Sequence, residues 1–343
     1  MKIHVIYEGD STFIGNSSYI RWIIPNKVSP LIPITYSLGI PNYIPDILII
    51  DRLHGIKKFQ DIIYIIKWCY EHNVILVHSI DDNYLALASD KPGRGLNIGK
   101  IFDMYKSEHL FAKYADVMIY SCEYLAKYYE RYAAKLSYVL PNYISKRFIN
   151  KKKHSHPIII GYMGTPTHAD DFKLVLPAIK EILDTYQNVY LELFGIGNKL
   201  GNVHIKTYHH KYVGSSYEDY QRYVKDNINW DIGIAPLIDN NFNRSKTDIK
   251  FLDYTAMGCV GVYSNVEPYK NIIGLHASNW FDELTFLINN EGYRKQLYNH
   301  ALEYVLKNRL IENNIDVYSR IFADIYDQKD NLLCIRCMDK VIV

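Results

Sequence analysis

The chain has 343 residues, long for one core and comfortable for two domains of roughly 150 to 180 residues each. With 48% hydrophobic and 22% charged residues it reads as an ordinary globular protein, and a net charge of +2 argues against a dedicated nucleic-acid binder. Residues 1–153 hold 20 Lys and Arg against 14 Asp and Glu, a charge of +6 that leaves −4 for the remainder. That basic first part suits an anionic partner or a membrane surface, or else consists of ordinary solvated lysines.

Five cysteines, an odd number without framework spacing, fit reduced thiols in a cytosolic protein. Cys334 and Cys337 form a C-x-x-C, but no second pair completes a zinc site, so no metal is expected. "MKIHVIYEGD" reaches acidic residues too soon for a signal peptide. The longest apolar stretch, residues 61–80, is interrupted by Lys67, Glu71 and His72 and cannot span a bilayer. The expectation is a cytoplasmic protein, soluble or lying at most on the inner face of a membrane. The tail "NLLCIRCMDKVIV" is either such a peripheral contact or a strand packed on the body.

In chain order, the first half gives strands at "KIHVIYE", "DILIID", "VILVHSI", "VMIYS" and "LSYVLPN". Helical spacing falls between them at "SSYIRWIIP", "IKKFQDIIYIIKWCYEH", "GLNIGKIFDMYKSEHLFAKY" and "CEYLAKYYERYAA". The charged run "INKKKHSHP", residues 149–157, reads as a linker. The alternation then restarts with "IIIGYMG", a helix "FKLVLPAIKEILDTY", "VYLELFG", "VHIKTY", a helix "SYEDYQRYVKDN", "IGIAPL", a helix within "NRSKTDIKFLDYTAMG", and "VGVYS", followed by consecutive helices from residue 280. Such a pattern predicts an α/β protein of two doubly wound, Rossmann-like domains, 1–150 and 151–310, facing each other across a cleft. Residues 311–343 form a helix and tail returning towards the N-terminal domain.

Three stretches could carry chemistry. In "NRSKTDIKFLDYTAMG", a helix starting near Thr247 puts Lys246, Lys250 and Asp253 on one face, with Arg244 in the preceding loop. Cations gathered at a helix N-terminus suit a bound anion, and a diphosphate with hydroxyls at its other end would meet the cations and the carboxylate in turn. The alternative is a solvated face with an ordinary Lys–Asp pair. In "IIIGYMGTPTHADDFK", Gly161 and Gly164 end a strand before Thr165, Pro166, Thr167 and His168, a turn where bare backbone can approach a phosphate, or a plain tight turn. In "VILVHSIDDN", Asp81 and Asp82 end a strand and either face a substrate or cap the next helix, while His78 reads as a strand residue.

Together, "IIIGYMGTPTHADDFKLVLPAIKEIL", "VYLELFGIG", "DIGIAPLIDNNFNRSKTDIKFLDYTAMGCVGVYS" and "SCEYLAKYYE…VLPNYI" resemble the GT-B nucleotide-sugar glycosyltransferases of the retaining group 1 (family 4) type. The resemblance is strongest over residues 158–265 and weakest in the first 45. It implies that the second domain binds a nucleotide-diphosphate sugar as donor substrate, with no cofactor and no metal ion. The first domain would bind a glycan, lipid-linked glycan or protein acceptor, and the sugar would be transferred with retention.

By position, the resemblance implies diphosphate contacts from Arg244, Lys246 and Lys250, with Asp248 opening the donor helix and Asp253 as the second acidic residue of an E-x7-E motif, on the ribose. Ser245 stands where the motif's first glutamate would be. Gly164 and Thr165 match the loop beside the phosphates, with His168 or Lys173 in place of the usual basic residues. Gly195 and residues 208–211, including Tyr208 and His209, fall where the nucleobase is held. Asp81 is the candidate for orienting or deprotonating the acceptor hydroxyl, and Ser17, Ser18, Arg21 and Asp82 for acceptor contacts. Two other readings stay open: a nucleotide-sugar epimerase of the same fold, and a non-catalytic nucleotide-sugar-binding subunit, which Ser245 would suit.

Overall fold

A computed structural model describes residues 1–10, 13–29, 34–52, 59–90, 98–132, 136–150, 157–211 and 216–338. The chain divides into two compact units. Unit 1 comprises Met1–Tyr143, Arg244–Thr247 and Ile311–Val343, and unit 2 comprises Ile144–Asn243 and Asp248–Leu310. Residues 151–156 of the expected linker, the last five residues of the tail and the Cys337 side chain lie outside the described parts.

Unit 1 is built on six parallel strands: β1 (Ile3–Ile6), β2 (Ile34–Ser37), β3 (Ile47–Asp51), β4 (Ile75–Ile80), β5 (Val117–Tyr120) and β6 (Leu136–Val139). Their spatial order is β2-β1-β3-β4-β5-β6. The apolar runs show no polar alternation because a parallel sheet covered by helices buries both faces. Ile47, Leu48, Ile49, Ile75, Leu76 and Val77 are accordingly all at 0% exposure. Helices Phe59–Glu71, Tyr84–Asp90, Ile98–Tyr114 and Glu123–Tyr129 belong to this unit. A helical run from Asn16 to Val28 contains a π-helical stretch at Tyr19–Ile23.

The C-terminal helices Ile311–Asp327 and Lys329–Met338 pack here too. Arg336 anchors the second of them: its Nε donates to Asp116 Oδ1 at 2.6 Å and its Nη2 to Asp116 Oδ2 and the Val74 carbonyl. The tail, expected as a membrane contact or a strand, is thus helical as far as Met338. No helix among the described residues is long and apolar enough to cross a membrane.

Unit 2 carries β7 (Ile158–Met163), β8 (Val189–Phe194), β9 (Thr207–His210), β10 (Ile232–Ala235), β11 (Val260–Ser264) and β12 (Leu275–Ala277), ordered β12-β11-β10-β7-β8-β9. This is the doubly wound order, reversing between β7 and β10. Gly161, Gly233 and Gly261 stand in register across β7, β10 and β11. A Cβ there would lie 1.7 Å from Trp230, 2.6 Å from Tyr254 and 1.9 Å from Tyr263 respectively. Three aromatic rings thus occupy the space the glycines leave, and Tyr254 Oη donates to the Ile234 carbonyl at 2.7 Å.

Several elements differ from expectation. The short strands β2 and β12 are edge strands with only partial burial, so they lack the unbroken apolar run that marks the inner strands. Strand β9 begins at Thr207, four residues beyond the expected start at Val203, because Thr207 N–H closes a turn onto the His204 carbonyl and leaves Ile205 at 93% exposure. The stretch at 243–258 forms two helices, Asn241–Arg244 and Ile249–Met257, with Asp248 at the N-cap position and Gly258 ending the second at φ 88°. Lys246 therefore lies outside the helix, and only Lys250 and Asp253 keep the expected shared face.

Candidate functional site

In unit 1 the strand order reverses between β1 and β3, and charged residues gather at the C-terminal ends of these strands and of β4, where open α/β sheets bind ligands. Arg52, directly after β3, adopts φ 62°. Its Nε lies 2.8 Å from Glu8 Oε2, its Nη1 2.5 Å from Asp81 Oδ1 and its Nη2 3.1 Å from Asp82 Oδ2. The guanidinium also lies 5.8 Å from the Tyr84 ring centroid. Lys246 Nζ meets the other oxygen of Asp82 at 2.7 Å, and Ser17 Oγ donates to Asp81 Oδ2. Asp81, Asp82, Ser17 and Lys246, picked out separately along the chain, therefore stand together.

Below them Asp51 accepts from Ser18 Oγ at 2.5 Å and Ser79 Oγ at 2.9 Å, and Ser18 Oγ accepts from the Glu8 N–H at 3.0 Å. Burial pushes the Glu8 carboxyl up to about 7. Arg52 pulls it down, and Asp81, Asp51 and Asp82 push it further up. Burial works against the Arg52 charge, but Asp81, Glu8 and Asp82 hold its pKa well above the usual arginine value.

Ser18 and Arg21, expected at an acceptor, lie beneath this cluster. Ser18 is at 0% and Arg21 at 1% exposure, with Arg21 Nη1 donating to the Leu140 carbonyl at 2.9 Å and to Asn142 Oδ1 at 3.3 Å. A guanidinium enclosed in this way supports the sheet ends, because no face of it reaches solvent. Ser245 is equally enclosed. Its hydroxyl accepts from Asn83 Nδ2 at 3.0 Å and its carbonyl from Cys122 Sγ at 3.3 Å. Asn142 Nδ2 donates to Thr247 Oγ1 at 3.1 Å, so segment 244–247 is tied to the β5 and β6 ends of unit 1. Arg244, half-buried, closes the short helix at the start of that segment.

In unit 2 the reversal lies between β7 and β10. Gly164 follows β7 and Gly195 follows β8, and the Gly164 N–H donates to the Phe194 carbonyl at 3.0 Å. Gly195 takes φ 83°, and a Cβ on it would stand 2.9 Å from the Gly164 carbonyl, so this close crossing of two turns requires glycine. Thr165 Oγ1 lies 2.7 Å from Thr167 Oγ1 at the opening of the next turn.

His168 Nδ1 lies 2.8 Å from Oδ2 of the buried Asp171. Asp171 Oδ1 accepts from the Ile238 N–H and Asn243 Nδ2, both at 3.0 Å. One carboxylate thus joins the turn after β7 to the loop after β10, across the reversal point. Lys173, the other stand-in for a basic residue, is exposed and paired with Asp170 at 2.7 Å.

Lys250 Nζ lies 6.0 Å from the centroid of the Tyr162 ring, and Tyr162 Oη is what a side chain at Gly164 would strike. The first turn of helix Ile249–Met257 therefore holds a cation over the end of β7. Asp253, one turn on, is raised to about 7 by burial, with Lys250 pulling it down. Asp248 at the helix opening is gripped by Arg309, Nη1 to Oδ2 at 2.5 Å and Nη2 to Oδ1 at 2.8 Å. Tyr208 and His209 lie on edge strand β9, where the Tyr208 ring is 57% exposed and stands edge-on to His210.

Arg52 and Glu8 escaped the sequence reading. The available signal was position: each is a charged residue at or just beyond the end of an apolar strand, the same feature that singled out Asp81 and Asp82.

The architecture is the GT-B fold, two Rossmann-like α/β units in one chain. No protein-family model matches the sequence, and no curated protein matches it either. Solved structures do match. Sucrose-phosphate synthase from Thermosynechococcus elongatus superposes with a TM-score of 0.68 at 10% identity, over 95% of this chain and 99% of that one. HepE from Anabaena, in complex with UDP-glucose, gives 0.66 at 9% identity, over 94% and 100%. A trehalose-6-phosphate synthase gives 0.55 at 12% identity, over 88% and 77%.

Proposed function

We propose that this chain is a retaining, metal-independent glycosyltransferase that moves a sugar from a nucleotide-diphosphate sugar to a glycan, lipid-linked glycan or protein acceptor. The observation that carries the reading is the placement of Lys250 over the C-terminal end of β7, at the reversal point of unit 2 and beside the glycine turn at Gly164. Doubly wound sheets bind nucleotides at this point, and a fixed cation there stabilises charge as it develops on a departing diphosphate. The shared fold with a protein solved in complex with UDP-glucose supports the same reading.

In this proposal the C1–O bond to the donor diphosphate breaks while the acceptor oxygen bonds to C1 on the same face. Lys250 and the backbone around Gly164 and Thr165 receive the leaving diphosphate, and Asp253 accepts hydrogen bonds from the donor ribose. Asp81 orients the acceptor hydroxyl and takes its proton directly or through one water. The products are the new glycoside and a nucleoside diphosphate.

Incubation with a panel of UDP, GDP and TDP sugars, with and without acceptor, tests this. Release of nucleoside diphosphate that depends on acceptor is the expected result. Conversion without acceptor would point to an epimerase, and saturable binding without turnover to a binding subunit; either removes the transferase assignment.

A further inference from the structure

Resting on the transferase reading, we propose that Arg52 is a positioning residue for the transfer step, fixing the Asp81 carboxylate in the orientation from which it meets the acceptor hydroxyl. Each nitrogen of its guanidinium faces a different carboxylate: Nε faces Glu8, Nη1 Asp81 and Nη2 Asp82. These partners come from the end of β1 and the end of β4, while Arg52 itself leaves β3. With Oδ1 on Arg52 and Oδ2 taking the Ser17 hydroxyl, the plane of the Asp81 carboxylate is defined by two contacts from two elements.

The backbone supports a specific demand at this position. A side chain other than glycine at φ 62° is disfavoured and persists where the surroundings over-determine it. Asp51, the preceding residue, is tied by Ser18 and Ser79, so the chain reaches Arg52 from a fixed point.

The charges facing the guanidinium make the cluster sensitive to its loss. Among the described residues, Glu8, Asp51, Asp81 and Asp82 contribute four carboxylates, Arg52 and Lys246 bring positive charge into contact with them, and Tyr84 and Ser17 add hydroxyl groups. A planar fork reaches three carboxylates at once, which a single ammonium cannot do.

The test uses the full chain with Arg52→Met and Arg52→Lys, assayed with whichever nucleotide sugar the panel shows the wild type to use. Arg52→Met is expected to lower kcat by about 100-fold, the scale of a misplaced reacting group, with the donor KM unchanged. The acid limb of its pH–rate profile should move to higher pH, since the Arg52 charge is what pulls the Glu8 carboxyl down against its burial. Arg52→Lys should recover part of kcat and part of the limb.

A folded Arg52→Met protein with wild-type kcat and pH profile overturns the proposal. Should Arg52→Met fail to fold, an Arg52→Lys protein with the wild-type profile overturns it instead. A wild type that turns over no nucleotide sugar sinks the transferase reading and Arg52 with it, whereas an active wild type with unaltered variants sinks Arg52 alone.

Discussion

Lys246 Nζ stands 2.7 Å from Asp82 Oδ1, an ion pair between positions 164 residues apart in the sequence. Both side chains are under 20% exposed, so the pair is shielded from the screening that makes surface salt bridges weak. A double-mutant cycle of Lys246→Ala with Asp82→Ala, read by urea unfolding, should give a coupling energy of about 1–2 kcal/mol. Strictly additive effects would show that the contact contributes nothing to the fold.

Lys250 is the cation whose loss should be felt in chemistry more than in stability. Lys250→Ala is expected to reduce kcat/KM for the nucleotide sugar by about 100-fold, the size of one lost charge-stabilising donor. Its unfolding free energy should fall by about 1 kcal/mol or less, because the side chain is only half-buried. Steady-state kinetics alongside a thermal melt check both parts, and wild-type kinetics would remove Lys250 from the site.

Glu8 and Asp253 set a pH dependence of stability. Both carboxyls are held at about 7 in the folded chain, above their ordinary values of 4.5 and 3.8. Between those limits the folded state binds more protons than the unfolded state, so stability falls as pH rises towards 7. Glu8→Gln and Asp253→Asn should each flatten this decline in unfolding free energy measured from pH 4.5 to 7.5. A decline unchanged in both variants would mean that neither carboxyl is displaced.

Gly161 faces Trp230 with no room for a methyl group. Gly161→Ala should destabilise unit 2 by about 1–3 kcal/mol or more, since the added carbon displaces a ring locked against Tyr254. A chemical-denaturation midpoint equal to wild type would show that Trp230 moves aside freely.

Arg336 and Asp116 form a buried pair, 5% and 1% exposed, that ties the C-terminal helix to the start of β4, where the Leu76 N–H donates to Asp116 Oδ2 at 2.7 Å. Removing one partner leaves the other charge buried alone, so Arg336→Ala should cost about 3–5 kcal/mol. Hydrogen exchange should speed up first in Lys329–Met338, and protection equal to wild type there would contradict the anchor.

The inner strands were legible because burial on both faces leaves a continuous apolar run. "DILIID", "VILVHSI" and "VGVYS" coincide with β3, β4 and β11 to within two residues at each end. Strands β2 and β12 were not, since "ITYS" and "LHA" are short, only partly buried and too poor in apolar residues to form such a run. The helix containing Lys250 and Asp253 was anticipated, with Asp248 at its opening. What holds Asp248 there was not, because its partner Arg309 lies 61 residues away.

Local chain chemistry therefore determined the α/β class, the doubly wound alternation and the clustering of Asp81 with Asp82, because strand burial and helix periodicity are written in neighbouring residues. Tertiary structure decided that Arg52 bridges Glu8, Asp81 and Asp82, that Lys246 pairs with Asp82, and that Arg21 is enclosed. Those outcomes depend on which strand ends the sheet order brings side by side, and a parallel sheet sets that order through crossovers tens of residues long.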